Sequence, residues 1–301
     1  SFFDFWIDYA FSEAFKLYVG KRKVPGSYDW VASSAITRFA DRSIATTFFR
    51  TNRSLGVWAA GEVVDDVYYQ AAVTNGVNTT DLKPGDVDNR FAYSAMMYWD
   101  PLGDVGDGFS DLEYHEDLVI RLGHTFTYAN QDDADDGSPT GEEQYARLSD
   151  GTRLTTTGAL APGTTVNDFD AYLYTVFLTG KYRGFSFNAE YFARWLQNFG
   201  TSEGLPLPHS SLFDDGFFAE GGYMLVPKKL ELNGRVSQVD GMFGDAWEYA
   251  GGVNWFFNGS HSHKLTFDAS ILDGNPASNS SPNYEIGQDG VLFRVQYQAM
   301  F

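Results

Sequence analysis

The sequence predicts an all-β chain, a transmembrane antiparallel β-barrel, and three observations predict it. Apolar and polar residues alternate with period two rather than 3.6. Aromatic residues recur at the ends of the apolar faces, with smaller residues between them. Tyr172, Tyr174, Val176, Leu178, Gly180 and Tyr182 make one such face, and Trp247, Tyr249, Gly251, Val253, Trp255 and Phe257 another. Connections alternate between long and short along most of the chain, as they do between the extracellular and periplasmic ends of outer-membrane barrels. Amphipathic rings favour the headgroup level of a bilayer and aliphatics its centre, and about ten alternating residues cross it as a tilted strand. A soluble β-sandwich also alternates, but it does not call for aromatic ends on long strands.

Taken in order, the strand-like runs are 2–10, 14–22, 54–64, 67–75, 90–100, 117–129, 169–182, 185–196, 216–226, 229–238, 246–257, 263–272 and 289–301. The phases are explicit: Leu230, Leu232, Gly234 and Val236 oppose Glu231, Asn233, Arg235 and Ser237. Phe185, Phe187, Ala189, Tyr191, Ala193 and Trp195 oppose Ser186, Asn188, Glu190, Phe192, Arg194 and Leu196. Long connections are expected at 23–53, 76–89, 130–168, 197–215, 239–245 and 273–288, and short ones at 11–13, 65–66, 183–184, 227–228 and 258–262. The connection 101–116 is longer than its periplasmic class predicts. Phe301 closes an alternating aromatic strand, which resembles the C-terminal signal of outer-membrane barrels. Single-chain barrels have an even strand count, so the odd number here leads to the expectation of sixteen strands, three of them upstream of this sequence.

Composition narrows the alternatives. The 301 residues include 7 Trp, 18 Tyr and 26 Phe, no Cys, and a net charge of −19. With 43% hydrophobic residues the chain can bury a core, which excludes disorder. No run of 18 apolar residues suits a membrane-spanning helix. The lack of cysteine excludes a disulfide scaffold, a thiol nucleophile and a Cys-ligated metal. Strong acidity argues against nucleic acid as a partner.

The charge is unevenly placed. Residues 15–53 hold eight of the 21 basic residues against only Asp29 and Asp41, a local +6 that leaves −25 to the rest. Besides Lys16 these are Lys21, Arg22, Lys23, Arg38, Arg42, Arg50 and Arg53, the candidate pore-constriction residues. Residues 24–53 form a long, partly apolar connection, expected to fold inward as a constriction loop within a single barrel domain spanning 1–301. A basic ring in a narrow, partly dehydrated pore attracts anions and rejects cations, and arginine's planar fork suits phosphate or carboxylate. Arg121, Arg194, Arg235 and Arg294 lie on the polar phase as further candidates for the lumen wall. Each has a plainer reading as a wall salt bridge, because Glu62, Glu190, Glu220, Glu231, Glu248 and Asp268 share that phase.

Residues 15–75 also carry a recognisable string: LYVGKRKVP, SSAITRFADRSIAT, RSLGVWAAGEV and YYQAAVTNG. It resembles the phosphate-selective porin family, the O and P porins. Their Gly-x-x-Lys-x-Pro element matches Gly20, Lys23 and Pro25; aromatic-x-x-Arg-Ser matches Phe39, Arg42 and Ser43. The Arg-x-Leu-Gly-Val strand matches Arg53, Leu55, Gly56 and Val57, and the Asn-Gly strand end Asn75 and Gly76. The resemblance implies a sixteen-stranded, trimeric porin of the Gram-negative outer membrane with a lysine- and arginine-lined anion path. Residue by residue it carries over Lys23, Arg42 and Arg53. The net charge of −19 departs from an anion funnel.

No enzyme signature stands out. The histidines 115, 124, 209, 261 and 263 lack metal-ligand spacing, and no Gly-x-Ser-x-Gly element or P-loop is present. Neither a cofactor nor a metal is expected. Asp132, Asp133, Asp135, Asp136, Glu142 and Glu143 form an acidic loop without the EF-hand pattern. The expected partners are outer-membrane lipid and lipopolysaccharide, two further copies of the chain, and small anionic solutes such as phosphate. Two other readings stay open: a general or cation-preferring porin, and a structural or adhesive envelope protein with acidic surface loops.

Overall fold

In the computed structural model, which describes residues 4–78, 90–132, 146–201, 206–277, 286–287 and 289–300, the period-two runs become thirteen strands. They are β1 (Phe5–Ser12), β2 (Phe15–Lys23), β3 (Arg53–Val64), β4 (Val67–Asn75), β5 (Phe91–Trp99), β6 (Val119–Asp132), β7 (Val166–Tyr182), β8 (Phe185–Thr201), β9 (Ser211–Val226), β10 (Leu230–Gly241), β11 (Gly244–Phe256), β12 (His263–Asp273) and β13 (Gly290–Ala299). They pair in strict sequence order as one antiparallel sheet, with β1 and β13 at its edges. This up-and-down meander is the topology of an outer-membrane barrel.

The two faces of the sheet are inverted relative to a soluble protein. On β13 the apolar set is bare, with Phe293 68% and Val295 70% exposed. On β10 the polar set is inside, with Glu231 and Ser237 fully buried. Burial of polar groups against an exposed apolar exterior is the arrangement a lipid solvent demands, because the hydrocarbon cannot satisfy a polar group. Aromatics band both ends of this exterior. Phe185 packs on Tyr223 at 4.2 Å near one end, and Trp195 on Phe213 at 5.1 Å near the other.

One expected loop is not a loop. Residues 239–245 were expected as a long connection; instead the ladder runs on from Asp240↔Asp245 to Gly241↔Gly244, and only Met242 and Phe243 turn the chain. Gly244 at φ +148° permits this tight reversal. The acidic loop residues Asp133, Asp135, Asp136, Glu142 and Glu143 lie outside the described residues.

Two connections turn back over the buried polar face. Residues 24–52 carry two short helices, α1 (Tyr28–Val31) and α2 (Ile44–Phe49), and a 3₁₀ turn at Ser34–Ile36. Serines start all three: the hydroxyls of Ser27, Ser33 and Ser43 accept from the N–H of Trp30, Ala35 and Thr46. The second, residues 100–118, enters from the opposite end, and Phe109, Ser110 and Asp111 are buried beneath the first.

Candidate functional site

The inserted segment 24–52 is fastened to β6–β13 through polar groups of their inner face. Glu190 accepts from the Ser27 hydroxyl at 2.9 Å and from the N–H groups of Tyr28 and Asp29 at 2.9 and 3.2 Å. Glu248 accepts from Ile44 N–H and Asp268 from Ala40 N–H, each at 2.9 Å. In the other direction, Lys264 donates to the Thr37 carbonyl at 2.7 Å and Asn254 to that of Arg38 at 2.8 Å. Wall acids therefore cap insert donors and wall donors cap insert carbonyls, which is how an irregular segment keeps its backbone satisfied away from water.

Apolar packing reinforces the anchor. Ile44, Ala45, Phe48 and Phe49 of α2 bury against Leu173, Phe192, Phe218 and Val239. The Phe49 and Phe192 rings stack at 5.2 Å, and Tyr28 stacks on Phe177 at 4.5 Å. Phe177, Phe192 and Phe218 interrupt the polar phase of their strands. That interruption is the sequence signal for the docking surface, and it passes unnoticed when only the period is read.

The basic residues divide into two groups. Arg38 is fully buried and bonds Glu220 at 3.0 Å, Glu231 at 3.4 Å, the Ser186 hydroxyl at 2.8 Å and the Phe109 carbonyl at 2.6 Å. It thus pins both inserted connections to β8–β10. Each of the four strand arginines also holds a carboxylate: Arg121 with Asp100 at 2.6 Å, Arg194 with Asp214 at 2.7 Å, Arg235 with Glu248 at 2.5 Å, and Arg294 with Asp41. Lys21 is buried on β2.

Lys23, Arg42, Arg50 and Arg53 gather elsewhere, around one buried indole. Their charged ends lie 4.9, 5.3, 4.4 and 5.6 Å from the Trp30 ring centre. Cation–π attraction offsets part of their mutual repulsion. Lys23 also donates to the Trp30 and Ala32 carbonyls at 2.8 Å, and Arg42 to the Ala32 carbonyl at 2.6 Å. Among the described residues, Asp29 lies 3.6 Å from Arg42 and Asp4 3.0 Å from Arg53. All four cations line a cavity of about 220 Å³ together with Asp41. Burial pushes the Asp41 carboxyl above its ordinary value, against the pull of Arg294 and Arg235. Arg22 stands apart, its guanidinium 4.0 Å over the Tyr18 ring on β2, in a second cavity of about 730 Å³ between β2–β6 and the insert.

An antiparallel meander with a buried polar face, a lipid-compatible aromatic exterior and an extended loop folded over the polar side defines an outer-membrane β-barrel porin. The chain belongs to one family of these: the model for phosphate-selective porin O and P matches residues 1–299. It is accordingly a passive channel of the bacterial outer membrane and not an enzyme. Among solved structures it is similar to OmpT, an outer membrane protein of Vibrio cholerae folded in vitro and described in trimer form. Identity is 13% and the TM-score 0.52, over 94% of this chain and 77% of that one. A second similar structure is OprB of Pseudomonas putida at high pH, with 10% identity and a TM-score of 0.48 over 96% of this chain and 70% of that one. No curated protein matches the chain.

Proposed function

We propose that the channel favours small hydrophilic anions such as phosphate, and that Lys23, Arg42, Arg50 and Arg53 supply the preference. The observation that carries this reading is the gathering of four cations within 5.6 Å of one indole at a cavity beside the insert. Four positive charges gathered at one cavity make a field that draws anions, and the insert keeps the passage narrow enough for that field to act. Three of the four, Lys23, Arg42 and Arg53, stand at the family's motif positions. Arg38, Arg121, Arg194, Arg235 and Arg294 serve the wall and the anchor in this reading, since their ion pairs tie strand to strand or strand to an inserted connection.

A cation preference would need inner carboxylates facing the solute. Glu190, Glu220, Glu231, Glu248 and Asp268 instead spend their oxygens on the insert or on arginine; Glu62 faces the larger cavity, away from the Trp30 group. We also propose that the chain assembles as a homotrimer, the form in which the similar OmpT is described, with its aromatic bands against lipid and lipopolysaccharide.

The test is the reversal potential of the reconstituted protein in a KCl gradain across a planar bilayer. The wild type is expected to favour chloride, with added phosphate lowering the chloride current. An unchanged reversal potential in the combined Arg42→Ala, Arg50→Ala, Arg53→Ala variant would remove these residues from the selectivity path.

A further inference from the structure

The 730 Å³ cavity has a chemistry unlike that of the cation cluster. Its charged lining is balanced: Lys16, Arg22 and Arg121 against Glu13, Glu62 and Asp107. Arg121 is moreover committed to Asp100 through two bonds, at 2.6 and 2.8 Å. A multiply charged anion entering this space gains little net attraction, because the three carboxylates repel it.

Its uncharged lining is aromatic. Tyr68 and Tyr98 stack at 5.0 Å, and Tyr28 continues the strip at 6.1 Å from Tyr98. Tyr18 stands on neighbouring β2 beneath Arg22. Arg22 lines the cavity with its guanidinium packed on the Tyr18 ring, one nitrogen, Nη1, being buried. The volume lies within the range of small-molecule sites, roughly 300–1,000 Å³.

We propose that this cavity is a binding site for uncharged polyhydroxylated solutes, that is sugars or polyols, on the way through the channel. A sugar presents hydroxyls that both donate and accept, so it can use Arg22 and Lys16 as donors and Glu13 and Glu62 as acceptors together. Its C–H faces are apolar patches that match phenol faces, and a ring face offers area at low entropic cost. The polyphenol strip with charges of both signs fits this class, whereas phosphate fits the cluster around Trp30. The proposal rests on the channel activity of the family and not on the anion preference.

The experiment titrates maltotriose, a neutral sugar, against the ion current of the reconstituted wild-type protein. Saturable reduction of the current is expected. Tyr68→Ala should raise the half-blocking concentration at least about fivefold, the loss of one ring contact, with reversal potential unchanged. Tyr68→Phe, which keeps the ring, should stay within about twofold of wild type. Arg53→Ala should move the reversal potential and leave the sugar block in place, and that result separates failure of the anion reading from failure of this one. No saturable block by maltotriose, equal block in Tyr68→Ala, or loss of block in Arg53→Ala would each overturn the sugar site.

Discussion

The two sides of the inner face differ in what covers them. Along β6–β13 many polar side chains are buried beneath the inserted segment 24–52 and paired: carboxylate to N–H, lysine to carbonyl, arginine to carboxylate. Along β2–β5 one cavity lies between the insert and the wall, and a second, lined mostly by the insert itself, opens beside Lys23 and Arg53. The same alphabet of lysine, arginine, aspartate and glutamate serves both sides. Where the charges are paired and desolvated they build a scaffold, because an unpaired buried charge costs several kcal/mol. Where the charges border open space, the proposed reading has them act on solutes. In that reading a basic residue's role is set by which side of the insert it faces.

The largest effect is expected from breaking the scaffold. Arg38→Met leaves Glu220 and Glu231 buried beside an apolar side chain, at a cost of about 3–5 kcal/mol. The inserted segment should loosen, seen as tryptic cleavage within 24–52, a lower unfolding temperature in detergent, and a conductance at least about twofold higher as the passage widens. Retention of wild-type conductance and protease resistance would show that Arg38 does not hold the insert.

Next in size is the open side. Removing one charge from the Trp30 group, as in Arg50→Ala, should lower the anion-to-cation permeability ratio by about twofold to fivefold, near 1 kcal/mol for a charge acting at short range in a hydrated passage. Trp30→Ala should also lower it, because the ring that gathers Lys23, Arg42, Arg50 and Arg53 is lost. By contrast Arg194→Met, on the covered side and paired with Asp214, should reduce stability and leave reversal potential unaltered. A selectivity change there equal to that of Arg50→Ala would erase the distinction between the two sides.

A smaller effect lies at the boundary. Asp41 lines the Trp30 cavity and faces Arg294, Arg235 and Asp268. Burial raises its carboxyl above the usual 3.8, so the folded protein takes up this proton at a higher pH than the unfolded chain does. Its contribution to stability is fully present below the unfolded value and is lost as pH rises through the folded value. Protonation also deletes a negative charge beside the cations, so anion preference should increase as pH falls through that range. Asp41→Asn should show the high preference at every pH and flatten the profile; an undiminished pH dependence in that variant would assign it to another group.

The smallest expected change in the current is that of Glu190→Gln. The amide keeps one acceptor oxygen for the three donors Ser27, Tyr28 and Asp29. A loss of about 1–2 kcal/mol should appear as a modest fall in unfolding temperature with little change in current.

Much of this architecture was legible in residue order. The alternation at Leu232, Gly234 and Val236 against Glu231, Asn233 and Arg235 places both faces correctly, since a period of two has only one face to put in lipid. The 239–245 connection misled because Asp240, Gly241, Gly244 and Asp245 are turn-forming residues that here sit in ladder positions, the reversal itself falling on Met242 and Phe243. The crowding of basic residues in 15–53 was visible too, but not its division. Arg38 and Arg42 are four residues apart, yet one is anchored across the lumen to Glu220 and the other lies beside Trp30.

Residue order alone therefore settles the strand order, the lipid-facing phase and the family string from Gly20 to Gly76, because these depend on local periodicity and spacing. Which charges cancel is settled by the fold. It depends on partners far apart in the chain, 193 residues between Arg38 and Glu231 and more between Asp41 and Arg294. Whether a guanidinium meets a carboxylate or open space is settled by where the insert lies, and no local pattern encodes that distance.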